Sequence, residues 1–207
     1  MSSDPPKTHS KRLGQVLEAS TRSFTAQAQE LHRPPPLGAL VRAEGQAGAS
    51  IYAVVIGSRT ESVEGRLPIA TGWALPDGAA VLREEPHLPK LLRTTFEAAV
   101  VAYDPGAVGQ GPRVGLPPSP AVIYGFVQEC PPEADVARAL AASLDFLPLL
   151  LSAAPPGLAE EAATACLRLL AEGQPDREAF LLRAGKRLAV LLAHEPVRLE
   201  AALRRLG

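Results

Sequence analysis

The chain has 207 residues, a formal net charge of −1 and 46% hydrophobic residues. This length and apolar content are enough to bury a hydrophobic core, and the near-zero charge excludes a strong overall attraction to nucleic acid or anionic lipid. Aromatic residues make up only 4% of the chain. Alanine and leucine are therefore expected to fill much of the core.

Residues 1–11 are polar and predict a disordered leader without the apolar stretch of a signal peptide. The longest apolar run, 144–154, is too short to span a bilayer and contains Pro148. Cys130 and Cys166 lie far apart in the chain and fit no metal-binding or redox spacing. We therefore expect a soluble cytoplasmic protein without a membrane span, whose thiols are reduced.

β-Strand patterns dominate residues 12–130. Near-alternating sequences rich in Val, Ile, Tyr and Thr predict strands over residues 12–18, 23–29, 39–44, 50–61, 95–103 and 121–129. Gly14 lies inside the first of these, where a missing side chain permits a bulge or a close approach of two strands. Residues 62–93 are less regular, with a turn at 76–78 and a short helix at 88–93. Short strands at this spacing indicate a small barrel rather than a βαβ unit.

Helical patterns follow residue 130. Apolar spacing, opening prolines and a closing glycine predict helices over residues 133–151, 155–173 and 175–195, with a last helical segment at 196–207. The expected fold class is α+β. A small N-terminal β-barrel of about six strands occupies residues 12–130, and a bundle of three to four helices occupies residues 131–207.

The β-rich part resembles the HAS barrel, the small barrel shared by HerA-type DNA translocases and the α and β subunits of rotary ATP synthases. The matching segments are Leu13-Gly14-Gln15-Val16, Ser20-Thr21, Phe24-Thr25-Ala26, Gly38-Ala39-Leu40-Val41 and Ile51-Tyr52-Ala53-Val54-Val55. The resemblance covers residues 12–61, and it reaches residue 103 if the later strand closes the barrel. The rest of the chain is similar to short stand-alone HAS-barrel proteins of bacteria, cyanobacteria among them, so the resemblance implies a shape more than an activity.

The chain differs from those motors in the sequence motif that their ATPase activity requires. A nucleotide-binding motor needs G-x-x-x-x-G-K-[ST], because backbone N–H groups and a lysine must surround the phosphates while a hydroxyl binds Mg²⁺. The Gly-Lys pair here is Gly185-Lys186, which lacks the upstream glycine, is followed by Arg187 and lies within a predicted helix. We therefore expect a barrel without its motor.

No catalytic, metal-binding or cofactor-binding set is evident in the sequence. His9, His32, His87 and His194 have no second ligand at metal-binding spacing. The carboxylate pairs Glu84-Glu85 and Glu160-Glu161 are adjacent in the chain, so their side chains are expected to diverge rather than converge on a substrate. We expect His194 to complement a helix dipole and Cys166 to belong to the core.

Candidate contact residues are aromatic or proline-rich. Trp73 is the sole tryptophan. It either plugs one end of the barrel or anchors an interface, where tryptophan is enriched. Two proline clusters serve either as exposed ligands for a partner or as stiff connectors between strands: Pro34, Pro35 and Pro36, and then Pro117 and Pro118 within the segment 109–120.

A basic stripe is predicted near the C-terminus. Its members are Arg183, Lys186, Arg187, Arg204 and Arg205, with Arg198 between them. Such a stripe either contacts a phosphate backbone or an acidic partner, or is simply a solvated helix face. The second interpretation is favoured because glutamates dilute the stripe and no aromatic residues are interleaved for base stacking.

The sequence leaves three functions open. The favoured one is a non-enzymatic protein-interaction or assembly module that binds a protein partner or associates with itself. The alternative is a nucleic-acid-processing accessory that binds DNA or a nuclease, by analogy with HerA. An unrecognised enzyme is the third, and it would need a pocket with convergent titratable groups.

Overall fold

Seven strands in the described part of the chain form one antiparallel sheet that closes on itself. The computed structural model describes residues 11–65, 70–106 and 111–207. The strands are β1 (Arg12–Ala19), β2 (Ser23–Ala28), β3 (Leu40–Glu44), β4 (Ser50–Ser62), β5 (Leu92–Asp104), β6 (Arg113–Val114) and β7 (Phe126–Glu129). β1 pairs with β2 and β7, β2 with β5, β5 with β4, β4 with β3, and β3 with β7. Six strands therefore form a closed ring, and β6 extends β5 outside it.

Side chains fill the interior of the ring. The inward residues are small or β-branched apart from two phenylalanines: Val16, Phe24, Ala26, Ala28, Val41, Ala43, Ile51, Ala53, Val55, Phe96, Ala98, Val100, Ala121 and Val127. Small residues are required here because a ring of six strands leaves a narrow interior. This confirms the prediction that alanine supplies much of the core.

The helices of the described chain are α1 (Gly78–Glu84), α2 (Asp135–Ser143), α3 (Leu147–Leu151), α4 (Leu158–Glu172), α5 (Arg177–Leu191) and α6 (Pro196–Leu206). The last five, α2–α6, cover one outer side of the ring. A second apolar cluster joins α2–α6 to outward residues of the sheet such as Leu40, Val54, Ile56 and Val101. The expected α+β architecture, with a closed β part followed by helices, is confirmed at this level.

The helical part differs from the prediction at its start. The single helix expected over 133–151 is two helices, because Leu144 adopts a left-handed backbone (φ 59°) and Pro148 lies in the first turn of the next helix. Proline is tolerated in the first helical turn but cannot continue a preceding one. Five helices therefore follow residue 130 in the described chain, where three to four were expected. The helix expected to reach residue 195 ends at Leu191.

Three local predictions in the β-rich part also change. The predicted strand 121–129 is reduced to β7, because Tyr124 has a left-handed backbone (φ 63°) and residues 122–125 turn. The turn expected at 76–78 instead begins α1, since the Asp77 side chain accepts a hydrogen bond from the amide of Ala80 at 2.7 Å. The short helix expected at 88–93 is a 3-10 turn at Leu88–Leu91.

The ring and α4 meet through Gly38. This glycine has a positive φ of 81°, and a Cβ built on it would lie 2.4 Å from the backbone nitrogen of Cys166. Its own amide donates to the carbonyl of Val55 at 2.8 Å. Because only a glycine allows this approach, Gly38 fixes the proline segment before β3 against the helix.

Candidate interaction surfaces

Trp73 lies at the tip of a tight turn and is 88% exposed. The turn is closed by the amide of Leu75, which donates to the carbonyl of Gly72 at 2.8 Å. Gly72 has a positive φ and packs close to Val81 of α1, which ties the turn to the helix. The indole is therefore displayed to solvent and does not plug an end of the ring. The sequence suggested either a plug of one barrel end or an interface anchor for Trp73. Its exposed position permits the interface anchor.

The prolines predicted as contacts divide into exposed and buried members. Pro36 and Pro118 are exposed and Pro34 is half-buried, whereas Pro35 and Pro117 are buried. The two buried prolines act as packing residues in this conformation, because a partner cannot reach them. Gly109 and Gln110, at the start of the loop expected to make contacts, lie outside the described residues, as does His9.

Pro34–Pro36 line a groove between the ring and α4. The groove has a volume of about 340 Å³, and its other walls include Leu13, Leu40 and Leu170. Four charged residues also line it: Lys11, Arg33, Glu129 and Glu172. Both cysteines, which the sequence places 36 positions apart, line this same groove. Their proximity was not predictable from their spacing, because it depends on how α4 docks on the sheet.

Burial makes both thiols poor nucleophiles. It raises the pKa of Cys130 to about 11 and that of Cys166 to about 12. The Arg42 guanidinium opposes part of the shift in the pKa of Cys130. Both cysteines are free. Cys166 is fully buried, as expected from its place on an apolar helix face, and Cys130 is partly buried.

The side of the ring formed by β2, β1, β7 and β3 carries two rows of polar and aromatic side chains. Residues directly opposite one another on adjacent strands have neighbouring side chains on one face of the sheet. The first row is Gln27, Gln15 and Phe126. The second row is Arg12, Gln128 and Arg42. We call these six residues the open face. Arg42 also pairs with Tyr52, which packs against the helical cluster and so ends the second row.

Contacts within the open face fix the two arginines. The Arg12 guanidinium lies 4.1 Å from the centroid of the Phe126 ring, which is a cation–π geometry. The Arg42 guanidinium donates a short hydrogen bond to the side-chain oxygen of Gln128. These contacts leave both cationic groups on the outer surface, where Arg12, Arg42, Gln15 and Gln27 are exposed.

Tyr124 extends the open face and is held in an unfavourable backbone conformation. A φ of 63° is a genuine outlier for a bulky residue. Backbone hydrogen bonds impose it: the amide of Tyr124 donates to the carbonyl of Val16 at 2.8 Å, and the amide of Val16 donates to the carbonyl of Gly125 at 3.0 Å. The result is a phenol ring that is 72% exposed.

A shallow cleft of about 480 Å³ lies between Tyr124 and the open face. Its lining consists of Arg12, Gly14, Gln15, Leu17, Gln27, Ala28, Gln29, Tyr124 and Phe126. This set has two aromatic rings, three side-chain amides and one guanidinium, and no carboxylate among the described residues. Sequence reasoning missed this cleft because strand register, which brings the residues together, is not readable from strand patterns alone.

The predicted basic stripe is largely engaged in contacts within the protein. Arg183 donates to the carbonyl of Ala141 at 2.8 Å, Arg187 pairs with Asp145 at 3.2 Å, and Arg205 pairs with Glu161. In the part of the chain that the structure describes, Lys186 and Arg204 make no ion pair or side-chain hydrogen bond. Two of the five basic groups of the stripe are therefore uncommitted, that is, without an ion pair or side-chain hydrogen bond within the described part of the chain.

Arg198, between the two halves of the stripe, instead pairs with a buried carboxylate. Glu160 is only 1% exposed and binds the guanidinium of Arg198, which also binds Glu195. The second oxygen of Glu160 accepts a hydrogen bond from the amide of Gly157 at the start of α4. Glu160 and Glu161 bind different arginines, as expected from side chains that diverge.

Two histidines line a wide cleft whose volume is about 1070 Å³. His32 has a positive φ of 63°, and its amide donates to the hydroxyl of Thr94 at 2.8 Å. His87 lies 3.5 Å from a carboxylate oxygen of Glu85. His194 lies in the turn beyond the end of α5, three residues after Leu191, rather than within the helix.

The described residues contain neither a metal-binding cluster nor a membrane-spanning helix. Within residues 11–65, 70–106 and 111–207, no three His, Cys, Asp or Glu side chains lie close enough together to hold a metal ion. None of the helices in those ranges has the length and apolar character needed to cross a bilayer. No protein-family model matches the chain, and the comparison with curated proteins gave no match.

Proposed function

We propose that the protein is a non-enzymatic interaction or assembly module built on a HAS-type barrel without a P-loop ATPase. The turn that carries Trp73 would dock on a protein partner or on another copy of the chain. The observation that carries the proposal is the exposure of this indole on a hydrogen-bonded turn. Tryptophan is among the residues that most often dominate binding energy when an interface buries them.

Two further features support the proposal. The closed ring of six antiparallel strands is the shape that the HAS-barrel resemblance implies. Its interior is filled by side chains, which leaves the outer surface for binding. In the motors that the β-rich part resembles, such barrels lie as rings at one end of a hexamer and meet partners there.

The rigidity of the Trp73 turn also favours a docking role. The Gly72–Leu75 hydrogen bond and the capped start of α1 hold the backbone on both sides of the indole. A side chain whose backbone is already ordered loses less entropy when a partner binds it. Pro36 and Pro118, the exposed members of the proline clusters, are additional contact candidates.

The test compares Trp73→Ser with Val197→Ser. Val197 is a matched control because it is an exposed apolar side chain, 79% accessible, on α6. Sedimentation velocity would report self-association of each purified protein, and affinity capture from the native lysate would report partners. We expect Trp73→Ser to abolish the oligomer or the stoichiometric partner, and Val197→Ser to retain it. Equal behaviour of wild type and Trp73→Ser would contradict the proposal.

A further inference from the structure

The open face and the adjoining Tyr124 form a surface with the chemistry of a single-stranded nucleic-acid site. We propose that a single-stranded nucleic acid lies across strands β2, β1, β7 and β3, stacks bases on Tyr124 and Phe126, and places phosphates near Arg12 and Arg42. This site would add a second function to the proposed protein interaction, and it lies on a different surface. Its residues are also different from those of the basic stripe on α5 and α6.

Aromatic exposure is the first argument. Proteins that bind single strands without sequence preference combine aromatic side chains for stacking with cationic groups that follow the phosphate backbone. Aromatic residues are scarce in this chain, at 4%. Two of them nevertheless line one cleft on the outer surface of the ring, and one of the two is 72% exposed.

Charge and hydrogen-bonding capacity are the second argument. The cleft is lined by Gln15, Gln27 and Gln29, whose amides can donate to and accept from base edges, and by the guanidinium of Arg12. Arg42 adds a second cation in the neighbouring row. Phosphates would therefore meet cations along the second row, where Arg12 begins β1 and Arg42 lies in the middle of β3. Glu18 lies toward the opposite end of β1, whereas Glu129 follows Gln128 at the end of β7, beside the second row.

The fixed conformation of Tyr124 is the third argument. Unfavourable backbone conformations persist where the surroundings impose them, and they concentrate at binding sites and active sites. Here backbone hydrogen bonds to Val16 and Gly125 hold the turn, and the side-chain amide of Gln15 donates to the carbonyl of Tyr124 at 3.3 Å. The ring is thus positioned before any ligand arrives, which reduces the ordering cost of stacking.

The same observations favour a single strand over a duplex. A stacking surface needs bases with free faces, which a duplex keeps inside its stack. The whole protein carries a net charge of −1, so long-range attraction contributes little. We therefore expect weak binding, with a dissociation constant of about 10⁻⁶ to 10⁻⁴ M, the range typical of non-specific complexes.

The experiment measures fluorescence anisotropy of labelled oligothymidylate and oligouridylate of about twelve nucleotides, which lies within the site sizes of small barrels. The full chain is titrated at roughly 50 and 200 mM salt, because two phosphate contacts predict a log–log salt slope of about −1.4. A duplex of the same length and free thymidine monophosphate are the competitors. The DNA and RNA probes show which strand is preferred, and either preference supports the proposal.

Two variants and two matched controls complete the test. Tyr124→Gly removes the ring but suits the left-handed backbone, so the fold should be retained, and we expect binding about 5- to 150-fold weaker. Arg12→Gln should reduce the magnitude of the salt slope by about 0.7. The controls are Val197→Ser, which removes an exposed apolar side chain on α6, and Lys186→Gln, which removes an uncommitted cation on α5. Both should bind like the wild type.

Several results would overturn the inference. They are the absence of saturable binding to either strand, a duplex that competes as well as the single strand, and a free mononucleotide that competes as well as the oligonucleotide. Unchanged affinity in both Tyr124→Gly and Arg12→Gln would also reject it. Because Trp73→Ser tests the protein interaction and Tyr124→Gly tests the strand, failure of one proposal is distinguishable from failure of the other.

Discussion

The α-carbon of Gly14 lies so close to the carbonyl of Gln27 that a Cβ built on this glycine would be 2.0 Å from the oxygen. The contact joins β1 to β2, and β1 also shifts register against β7 between Arg12 and Gly14. Both features that the sequence suggested for Gly14, a close approach and a strand irregularity, are therefore present where the ring closes.

Replacing Gly14 with alanine should destabilise the fold. The added methyl must move backbone atoms, and we expect a loss of about 3 kcal/mol or more, the upper end of overpacking costs. Valine should cost more than alanine. The matched control is Gly57→Ala in β4, because a Cβ there meets nothing within 4 Å. Urea unfolding of the three variants provides the measurement, and equal midpoints for Gly14→Ala and Gly57→Ala would contradict this view of the contact.

Much of the β part was predictable because a local pattern marks each strand. In β2, Phe24, Ala26 and Ala28 alternate with polar residues, and this period of two identifies both the strand and its inward face. The low aromatic content, 4% of the chain, also predicts a ring interior filled by small side chains. The predicted number of strands in the ring, about six, was correct, because each predicted strand pairs with two others.

The errors arise where tertiary contacts override local preference. Leu144 and Tyr124 are ordinary helix and strand formers, yet both adopt left-handed backbones imposed by their surroundings. Nothing local distinguishes them from their neighbours. The same limit applies to the open face, since its rows depend on strand register, and to Glu160, whose burial depends on how α6 packs against α4.

The Glu160–Arg198 pair should contribute to stability, unlike the neighbouring Glu161–Arg205 pair. Arg198→Ala leaves a buried carboxylate without its cation. Because the Arg198 side chain keeps 24% exposure, we expect a loss of about 2 kcal/mol, below the 3–5 kcal/mol typical when a fully buried pair is broken.

Arg205→Ala is the matched control for this prediction. Its ion pair is more exposed, with 37% and 41% of the two side chains accessible. Exposed pairs contribute about 0–1 kcal/mol and weaken with salt. Denaturant unfolding at two salt concentrations would compare the variants. A larger loss for Arg205→Ala than for Arg198→Ala would show that burial does not determine which pair matters.

Gly185→Ala should stabilise the protein. Gly185 lies inside α5, where glycine is less favourable than alanine by about 0.5–1 kcal/mol. The new Cβ would lie 3.4 Å from the Leu203 side chain and 3.7 Å from that of Leu206, which are ordinary van der Waals distances. Gly157→Ala provides the opposite case, since a Cβ there meets no atom within 4 Å but φ is +94°.

We expect Gly157→Ala to lower stability by about 1–3 kcal/mol through backbone conformation alone. Thermal unfolding of both variants separates the two effects. A stability gain for Gly157→Ala, or a loss for Gly185→Ala, would indicate that the α5–α6 packing or the start of α4 differs from the geometry described above.

The raised thiol pKa values predict slow alkylation of the folded protein. Burial raises the pKa of Cys130 to about 11, so its reactive thiolate forms only as the pH approaches that value. At pH 8, a thiol with the ordinary pKa of about 8.5 is roughly 200-fold more ionised. Because a more basic thiolate is also the stronger nucleophile, we expect iodoacetamide to modify Cys130 about 10- to 100-fold more slowly than it modifies the urea-unfolded chain.

The pH dependence provides the sharper test. Because the folded-state pKa lies above the unfolded one, the rate for Cys130 should rise about tenfold per pH unit from pH 7 to about 10, whereas the unfolded chain levels off above pH 8.5. Cys166, with a pKa near 12 and full burial, should react only after unfolding. Peptide mapping by mass spectrometry assigns each site. A plateau near pH 8.5 for Cys130 in the folded protein would mean that the groove between the proline segment and α4 is open to water.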